Sequence, residues 1–465
     1  MDVEEVDLLV IGGGKAGKSL AMDRAKAGQK VAMVERAMIG GTCINVACIP
    51  TKTLINSGRV LETVRRAEEF GISGVEDPRM DLALLRHRKD DVVGTMVKGQ
   101  LTSFIDSSMD FVLGEAKFTG PRTVHVDLND GGTRVLRGTD VVINLGTEPA
   151  LPPIAGLAEA RVQTSNTLLE LESLPESIVI LGGGYIGCEF ADLLNTIGVD
   201  VTIVQRGNQL LGREDEDVSA AVKKAFIDAG ITVRLGAAAE KIQRAADGTV
   251  TITLDDGETV SAGDVLVALG RKPMTDGAKL EATGVVLDDR GFIEVDQQLR
   301  VGDGVWAAGD AAGTPQFTHA SYDDYRILKA NLAARHGDGE ARTTAGRLIP
   351  YTVFITPELG RVGLTEQQAR EAGHDVRIAK MPVAAIPRAR TLGQTEGVWK
   401  AVLDRKTGRI LGVALLGTEA SEAIAVVQMA MLAGLDFTAV RDAVITHPTI
   451  AEGLNLLFTR AYLED

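Results

Sequence analysis

Short apolar runs alternate with glycine-rich turns and longer mixed stretches along most of the chain, the pattern of buried strands that feed helices. DLLVI (7–11) is followed by Gly12-Gly13-Gly14-Lys15-Ala16-Gly17, a helical stretch to Gly28 and a second apolar run, KVAMVE (30–35). SIVIL (177–181) is followed by Gly182-Gly183-Gly184-Tyr185-Ile186-Gly187, a helical stretch to Gly198 and VDVTIVQ (199–205). The offset between the two units, 182 − 12 = 170 residues, is too long for a solenoid and suits two domains of one architecture. Each unit is trailed by short strands with turn residues, TVHVDLNDGGTRVLRGTDVVINLGTEP after the first and TVTITLDDGETVSAGDVLVALGRKP after the second. Residues 81–107 read as helix, and 151–175 as a connecting passage with proline at both ends. From about residue 346 strands mix with helices, including GVWKAVLD, ILGVALLG and an apolar helix over 420–433, which marks a third, different domain.

The chain is 465 residues long, beyond what one hydrophobic core serves. It is 45% hydrophobic and 24% charged, which excludes disorder for most of its length. Forty-nine basic against 64 acidic residues leave −15, the wrong sign for phosphate backbones or anionic lipid, so neither nucleic acid nor membrane is expected as a partner. The acidic opening MDVEEVD has no basic residues before its apolar run, and no run reaches the roughly 18 apolar residues of a spanning helix. Three cysteines, Cys43, Cys48 and Cys188, are too few for a disulfide framework, so a reducing, cytoplasmic setting is expected.

One glycine fingerprint is a weak signal, because a plain strand-to-helix turn also uses glycine. Two copies in strand–turn–helix context point to dinucleotide binding. The helix N-terminal amides hold a pyrophosphate, and Gly12, Gly14 and Gly17, like Gly182, Gly184 and Gly187, let the backbone approach it. The residue ending the second strand reports on the ribose. It is Glu35 in the first unit, a carboxylate suited to ribose hydroxyls; at the same offset the second unit has Gln205, followed by Arg206. With no carboxylate to repel a 2′-phosphate, and with Arg206 and Arg213 at hand, NADPH is expected over NADH at the second site. The bland alternative is that both arginines are solvated surface charges.

Five residues after Glu35 begins Gly40-Gly41-Thr42-Cys43-Ile44-Asn45-Val46-Ala47-Cys48-Ile49-Pro50-Thr51-Lys52. If Glu35 lies under the adenosine end of a dinucleotide, the chain leaving it tracks along the cofactor and sets the cysteines near the reactive ring. In the first turn of a helix their spacing permits a disulfide, and the helix N-terminus favours thiolate. On spacing alone two buried, unpaired cysteines are the better reading; between two dinucleotide units, electron transfer explains the pair better. Thiol exchange also needs a base. His447 is the candidate, because Pro448 keeps it out of helix, while Glu452 reads equally as the far end of a Thr449-x-x-Glu452 capping box.

GGGKAG, GGTCINVACIPTK, GGGYIGCE, ALGRKP, VWAAGD and THPTIAE, spread over residues 12–452, make the chain resemble the pyridine nucleotide-disulfide oxidoreductase flavoproteins, which include dihydrolipoamide dehydrogenase, glutathione reductase and mercuric reductase. The resemblance covers essentially the whole chain. It implies an α/β fold with two Rossmann-like dinucleotide-binding domains, for FAD and NAD(P), plus a C-terminal α+β dimerisation domain. The implied spans are 1–150 (FAD-binding, with the redox disulfide), 151–272 (NAD(P)H-binding), 273–343 (FAD-binding, continued) and 346–465 (dimerisation). By the same resemblance Gly41, Thr42 and Gly146 join the FAD contacts, Asp310 meets the flavin's ribityl and phosphate region, and Lys52 pairs with Glu189 beside the flavin. Tyr185 gates the nicotinamide pocket, which Gly270 borders. Ala47 departs from the glycine usual in the motif and is expected to tighten the turn. Cys188 is read as a core residue.

The implied chemistry is a relay from NADPH through FAD to the Cys43–Cys48 disulfide, entered through Cys48, with Cys43 attacking the acceptor. His447 acts as acid/base, held by Glu452 and reaching across a homodimer interface. The ending Phe458-Thr459-Arg460-Ala461-Tyr462-Leu463-Glu464-Asp465 carries no metal-delivering cysteine pair, which argues against mercuric ion. MPVAAIPRARTLGQTEGVWKAVLD and ITHPTIAEGLNLLF are most similar to the branch associated with reactive-chlorine and oxidant resistance. Dihydrolipoamide dehydrogenase is the main alternative, although Gln205-Arg206 fits its NAD preference poorly; a mycothiol or glutathione disulfide reductase is another. From a different class comes a redox sensor that binds flavin without turnover, which would tolerate loss of the cysteines, the histidine or the lysine.

Overall fold

A computed structural model describes residues 2–461. The sequence-based expectation about the C-terminal tail therefore falls, from Tyr462 on, outside the described residues. The chain forms two compact units. One comprises the chain to Thr53, Arg86–Ala150 and Arg271–Arg347; the other comprises Leu54–Leu85, Leu151–Gly270 and the chain from Leu348.

In the first unit, Val3–Ile11 lies between two parallel neighbours, Val31–Glu35 and Thr133–Ile143, and Val305–Ala307 continues the parallel set. These strands are almost wholly apolar because both faces are covered, one by helices and the other by Phe118, Val124, Val126 and Leu136 of the antiparallel strands. The fingerprint helix Lys15–Lys26 and the helix Thr318–Arg335 share one apolar cluster with this sheet, built around Leu20, Met33, Ile327 and Leu328. The strand Asp110–Gly120 begins parallel to Val31–Glu35 and then turns away to pair antiparallel with Thr123–Leu128, which also pairs with Thr133–Ile143. Gly114 stands at the bend, where a Cβ would lie 2.6 Å from the carbonyl oxygen of Asp127. The acidic opening proves to be strand from Val3: it pairs with Val135–Gly138, and Arg134 neutralises Glu4 and Asp110 at 2.7 and 2.6 Å.

In the second unit a four-stranded parallel sheet runs Asp264–Val267, Ser177–Leu181, Asp200–Gln205, Thr232–Leu235, and a separate antiparallel hairpin sheet spans Ala239–Ala262. A five-stranded antiparallel sheet follows, from Tyr351–Val353 to Val376–Pro382 at its edges, packed around the fully buried Trp399 with the helices Ala420–Leu432 and Gly453–Arg460. The spans expected for two domains, 151–272 and 346–465, thus lie in one unit. Residues 54–85, expected with 1–150, join it because Leu54, Ile55 and Leu85 enter the same apolar cluster as Leu193 and Leu194.

A buried bridge of charges runs through the second unit. Arg361 Nη1 meets Glu214 at 3.1 Å and Asp215 at 3.2 Å, Lys400 Nζ meets Asp217 at 3.1 Å and Glu366 at 2.8 Å, and Tyr351 donates to Glu214. Among the described residues no helix is long and apolar enough to cross a membrane.

Candidate functional site

The first glycine turn is built to let a ligand reach backbone. Gly12 has φ +102°, and a Cβ there would sit 2.3 Å from Asn144 O. A Cβ on Gly17 would meet Gly12 O at 2.6 Å, while its own N–H donates to Asn144 Oδ1 at 2.9 Å. Asn144 in turn donates to Ala308 O at 2.8 Å, so one buried side chain ties the turn to the neighbouring strand. Gly41, at φ +79°, brings the cysteine loop within 2.9 Å of Gly14 Cα, counted from the position of a Cβ. Gly12, Gly14, Glu35, Gly41, Thr42 and Gly146 all line one cleft. The helix Lys15–Lys26 starts at that cleft behind Gly14, with no acid in its first turn; Ser321 Oγ and Asn144 Oδ1 accept from the Ala16 and Gly17 amides, and the positive end of the helix dipole is left towards the space. This donor set fits the pyrophosphate of a dinucleotide. Glu35 accepts from Gly13 N at 2.7 Å and from the Ala37 and Met38 amides at 2.9 and 3.0 Å, which fixes its carboxylate at the end of the second strand. Asp310 is joined to Thr147 Oγ1 at 2.7 Å, and Arg271 holds Thr147 from behind. Burial pushes the Asp310 carboxyl up, while the Thr147 bond and the Arg271 charge pull it back.

Cys43 and Cys48 come together in this unit as unbridged thiols in hydrogen-bond contact. They do not share one helical turn. Cys43 lies in the short turn Thr42–Asn45; Val46, with φ −140° and ψ 17°, ends it, and Cys48 opens the long helix Cys48–Arg65. The expected single first turn is thus corrected to two helical pieces with a kink between them. Ala47 accepts from Thr51 N at 3.1 Å with an unstrained φ, so the alanine puts no steric demand on the turn. Cys48 Sγ is 3.5 Å from Thr318 Oγ1, at the start of the helix Thr318–Arg335, whose N-terminal dipole favours a thiolate. The Cys43 thiol is pushed up first by its hydrogen bond with Cys48, then by burial and by charge on Cys48; the Thr318 hydroxyl and the Lys18 ammonium pull it down. The two sulfurs therefore titrate as a pair that holds its last proton tightly.

The second turn repeats the first with other closures. Gly182 has φ +109°, and a Cβ on Gly187 would lie 2.0 Å from Gly182 O. Gln205 Oε1 accepts from Gly183 N at 2.9 Å, the counterpart of the Glu35 bond. Gly184 precedes the helix Tyr185–Thr196, again without acid in its first turn, and Gly270 takes φ +124° at the end of the return strand. Arg206 and Arg213 are exposed and have no ion-pair partner among the described residues. Cys188 is wholly buried with its thiol pushed up by that burial, a core residue as expected. Glu189, also buried, accepts from Phe354 N at 3.0 Å. Lys52 stands on the helix Cys48–Arg65 within the first unit and Glu189 in the second.

His447 Nδ1 lies 2.8 Å from Glu452 Oε2, with the imidazole side chain 70% exposed and the carboxylate 11%. The capping box forms only in half: Glu452 N donates to Thr449 Oγ1 at 3.2 Å, but the glutamate side chain turns to the histidine instead of the Thr449 backbone. Its other oxygen, Oε1, is buried without a partner. Thr318, Asn144, Thr147 and Lys18 were not singled out from sequence. Only Asn144 carried a signal, standing one residue before the leucine-glycine that ends each return strand.

Residues 6–324 match the family described as pyridine nucleotide-disulphide oxidoreductase, and residues 349–457 match its dimerisation domain. The chain is 39% identical over 456 residues to the probable pyridine nucleotide-disulfide oxidoreductase RclA of Escherichia coli, covering 97% of this chain and 98% of that protein. It is 34% identical to a mercuric reductase of Lysinibacillus sphaericus, over 97% of this chain and 82% of the relative. A solved Cu(II) complex of the HOCl-induced flavoprotein disulfide reductase RclA from Escherichia coli superimposes with a TM-score of 0.89 at 38% identity, covering 99% of each chain.

Proposed function

The chain belongs to the pyridine nucleotide-disulphide oxidoreductase family, and from that premise we propose that it is an FAD-dependent NADPH:disulfide oxidoreductase working through Cys43 and Cys48. The observation that carries the reading is the contact of the two sulfurs beside Thr318, in the same unit as the glycine cleft. Bound in that cleft, FAD supplies two-electron transfer between nicotinamide and sulfur. Gly12, Gly14, Gly17, Glu35, Gly41, Thr42, Gly146 and Asp310 would hold it, and Lys52 and Glu189 are the charged residues proposed to assist. Gly182, Gly184, Gly187, Gln205, Arg206 and Gly270 bind NADPH, with Tyr185 over the nicotinamide.

The sulfur chemistry balances within the pair. Two electrons cleave the Cys43–Cys48 bond and leave Cys48 as thiolate beside the Thr318 helix. The Cys43 thiolate attacks one sulfur of an acceptor RSSR, forming a mixed disulfide and releasing RS⁻. Cys48 then attacks the Cys43 sulfur, re-forms the intramolecular disulfide and releases the second RS⁻. Glu452 fixes the ring of His447 through Nδ1, which leaves Nε2 to protonate the leaving thiolate and to take a proton from the attacking thiol. In a homodimer, the assembly we infer from the dimerisation domain, that histidine serves the partner's cysteines. The acceptor is a disulfide or a small oxidant.

Anaerobic titration with NADPH tests the scheme. Uptake of two electrons, one NADPH, should expose two titratable thiols and raise a broad long-wavelength thiolate band that Cys48→Ser lacks. His447→Ala should keep flavin reduction fast and slow disulfide turnover about 100-fold or more. A protein that takes up NADPH electrons without exposing thiols is not a disulfide reductase of this kind.

A further inference from the structure

Lys18 occupies a place in the first fingerprint helix where the repeat offers a direct control. The 170-residue offset sets it opposite Cys188, and both backbone amides close the same first turn, Lys18 N to Gly14 O at 3.0 Å and Cys188 N to Gly184 O at 2.9 Å. Cys188 fills that position as an ordinary buried group. Lys18 is nearly as enclosed, 4% exposed, yet it carries an amine. No carboxylate pairs with it among the described residues; Nζ donates to Gly40 O at 2.9 Å. One carbonyl is poor compensation for removing an ammonium from water, and burial first, then the charge of Lys15, depresses the Lys18 pKa to about 8.

The carbonyl it holds belongs to the loop that carries the exchange sulfur. A Cβ on Gly40 would lie 3.6 Å from Lys18 Nζ and 2.8 Å from Ile44 Cδ1, so the amine is in contact with the backbone three residues before Cys43 and that backbone is itself closely packed. Two charged or titratable groups face Lys18: Lys15 on its own helix and Cys43 on the loop. Lys15 is drawn to the ring of Tyr322, 4.5 Å from its centroid, so among the described residues facing Lys18 the Cys43 sulfur is the group able to carry opposite charge. We propose that Lys18 is a positioning residue for Cys43, whose enclosed positive charge offsets the burial and the neighbouring sulfur that resist a thiolate there. The attraction acts through a dry interior where salt screens little. It favours the reduced, ionised pair over the neutral disulfide, so it shapes both the attack of Cys43 and the potential of the pair. The inference rests on Cys43 and Cys48 being the working pair.

The test uses FAD-loaded enzyme, reduced with dithionite and alkylated with iodoacetamide across pH, with the Cys43 peptide quantified by mass spectrometry. Lys18→Gln keeps a donor for Gly40 O and removes the charge; Lys18→Met removes both; Lys18→Arg keeps the charge. Gln and Met are expected to slow Cys43 alkylation at pH 7 roughly tenfold, raise its apparent pKa by about one unit, and move the pair's potential about 30 mV more negative. Arg should recover most of the rate. Superimposable alkylation profiles and potentials in Lys18→Gln and the unaltered enzyme would overturn the proposal. Should the variants fail to fold, the unaltered enzyme decides: its Cys43 alkylation profile must show a second break where Lys18 loses its charge, and a smooth single titration sinks the idea. Reduction that leaves Cys43 unreactive at every pH in every form overturns the pair itself, a separate failure.

Discussion

The two nucleotide turns share a backbone and differ in what closes it. Gly12 and Gly182 take φ +102° and +109°, and each backs onto a carbonyl, Asn144 O or Ala268 O. The residue ending the second strand makes the same bond to the middle glycine whether it is Glu35 or Gln205. The carboxylate is therefore not what shapes the turn; its charge is left over for the ligand. Behind the first turn the Asn144 side chain bonds both Gly17 and Ala308, whereas the equivalent position in the second turn is Ala268 and Gly187 packs straight onto backbone. A turn pinned by a buried amide suits a prosthetic group that stays. A turn flanked by exposed, unpaired Arg206 and Arg213 suits a coenzyme that comes and goes.

The sharpest way to break this comparison is to fill the equivalent glycines. Gly17→Ala should yield colourless protein, while Gly187→Ala should stay yellow and lose about 100-fold in kcat/KM with NADPH, because the 2.0 Å approach to Gly182 O forces the turn to shift by an ångström or so. Absorbance and steady-state kinetics read both. Arg206→Glu comes next. Loss of a charge-assisted contact of roughly 1.5–3 kcal/mol should cost about 10- to 100-fold with NADPH and little with NADH; equal losses with both would deny Arg206 its role. A last effect, on stability and not on turnover, concerns Asp192, which stands where the first helix has Met22. Burial pushes its carboxyl up to about 7, with the Thr356 hydroxyl at 3.1 Å pulling the other way. The folded protein thus keeps a proton that the unfolded chain releases near pH 4. Its contribution is fully present below that pH and is lost as pH rises towards 7. Asp192→Asn should remove that loss, gaining roughly 2–4 kcal/mol at pH 8 and little at pH 4 in urea unfolding.

Much of this was legible in the sequence because the constraints are local. A glycine triplet between an apolar strand and a helix has few meanings, and Gln205 and six of the cleft-lining residues, Glu35 among them, follow from spacing or resemblance. The cysteine pair was legible for the same reason, although the break at Val46 was not, since spacing alone cannot tell one helical turn from two pieces. Thr318 was invisible. It reaches Cys48 across 270 residues of sequence, and nothing around it marks a thiol neighbour. Nothing in the sequence marks Lys18 either, since a lysine beside a glycine fingerprint has the look of a surface charge; its packing against Gly40 is what buries it. Glu452 had two sound local readings, and the structure divides them, giving the backbone amide to Thr449 and the side chain to His447.

The salt-bridged seam of the second unit bears on how this protein could be taken apart. Arg361 and Lys400 sit on strands of the C-terminal sheet, while Glu214, Asp215 and Asp217 introduce the helix Glu216–Asp228 of the coenzyme half. A gene cut near residue 346 would strip Glu214, Asp215 and Asp217 of their cations and open to water a face that is buried in the intact unit. Arg213, the neighbour of Glu214, would lose its anchorage with them. The coenzyme half is consequently no freestanding cassette, and recombination that swaps it between homologues must carry the distal sheet along.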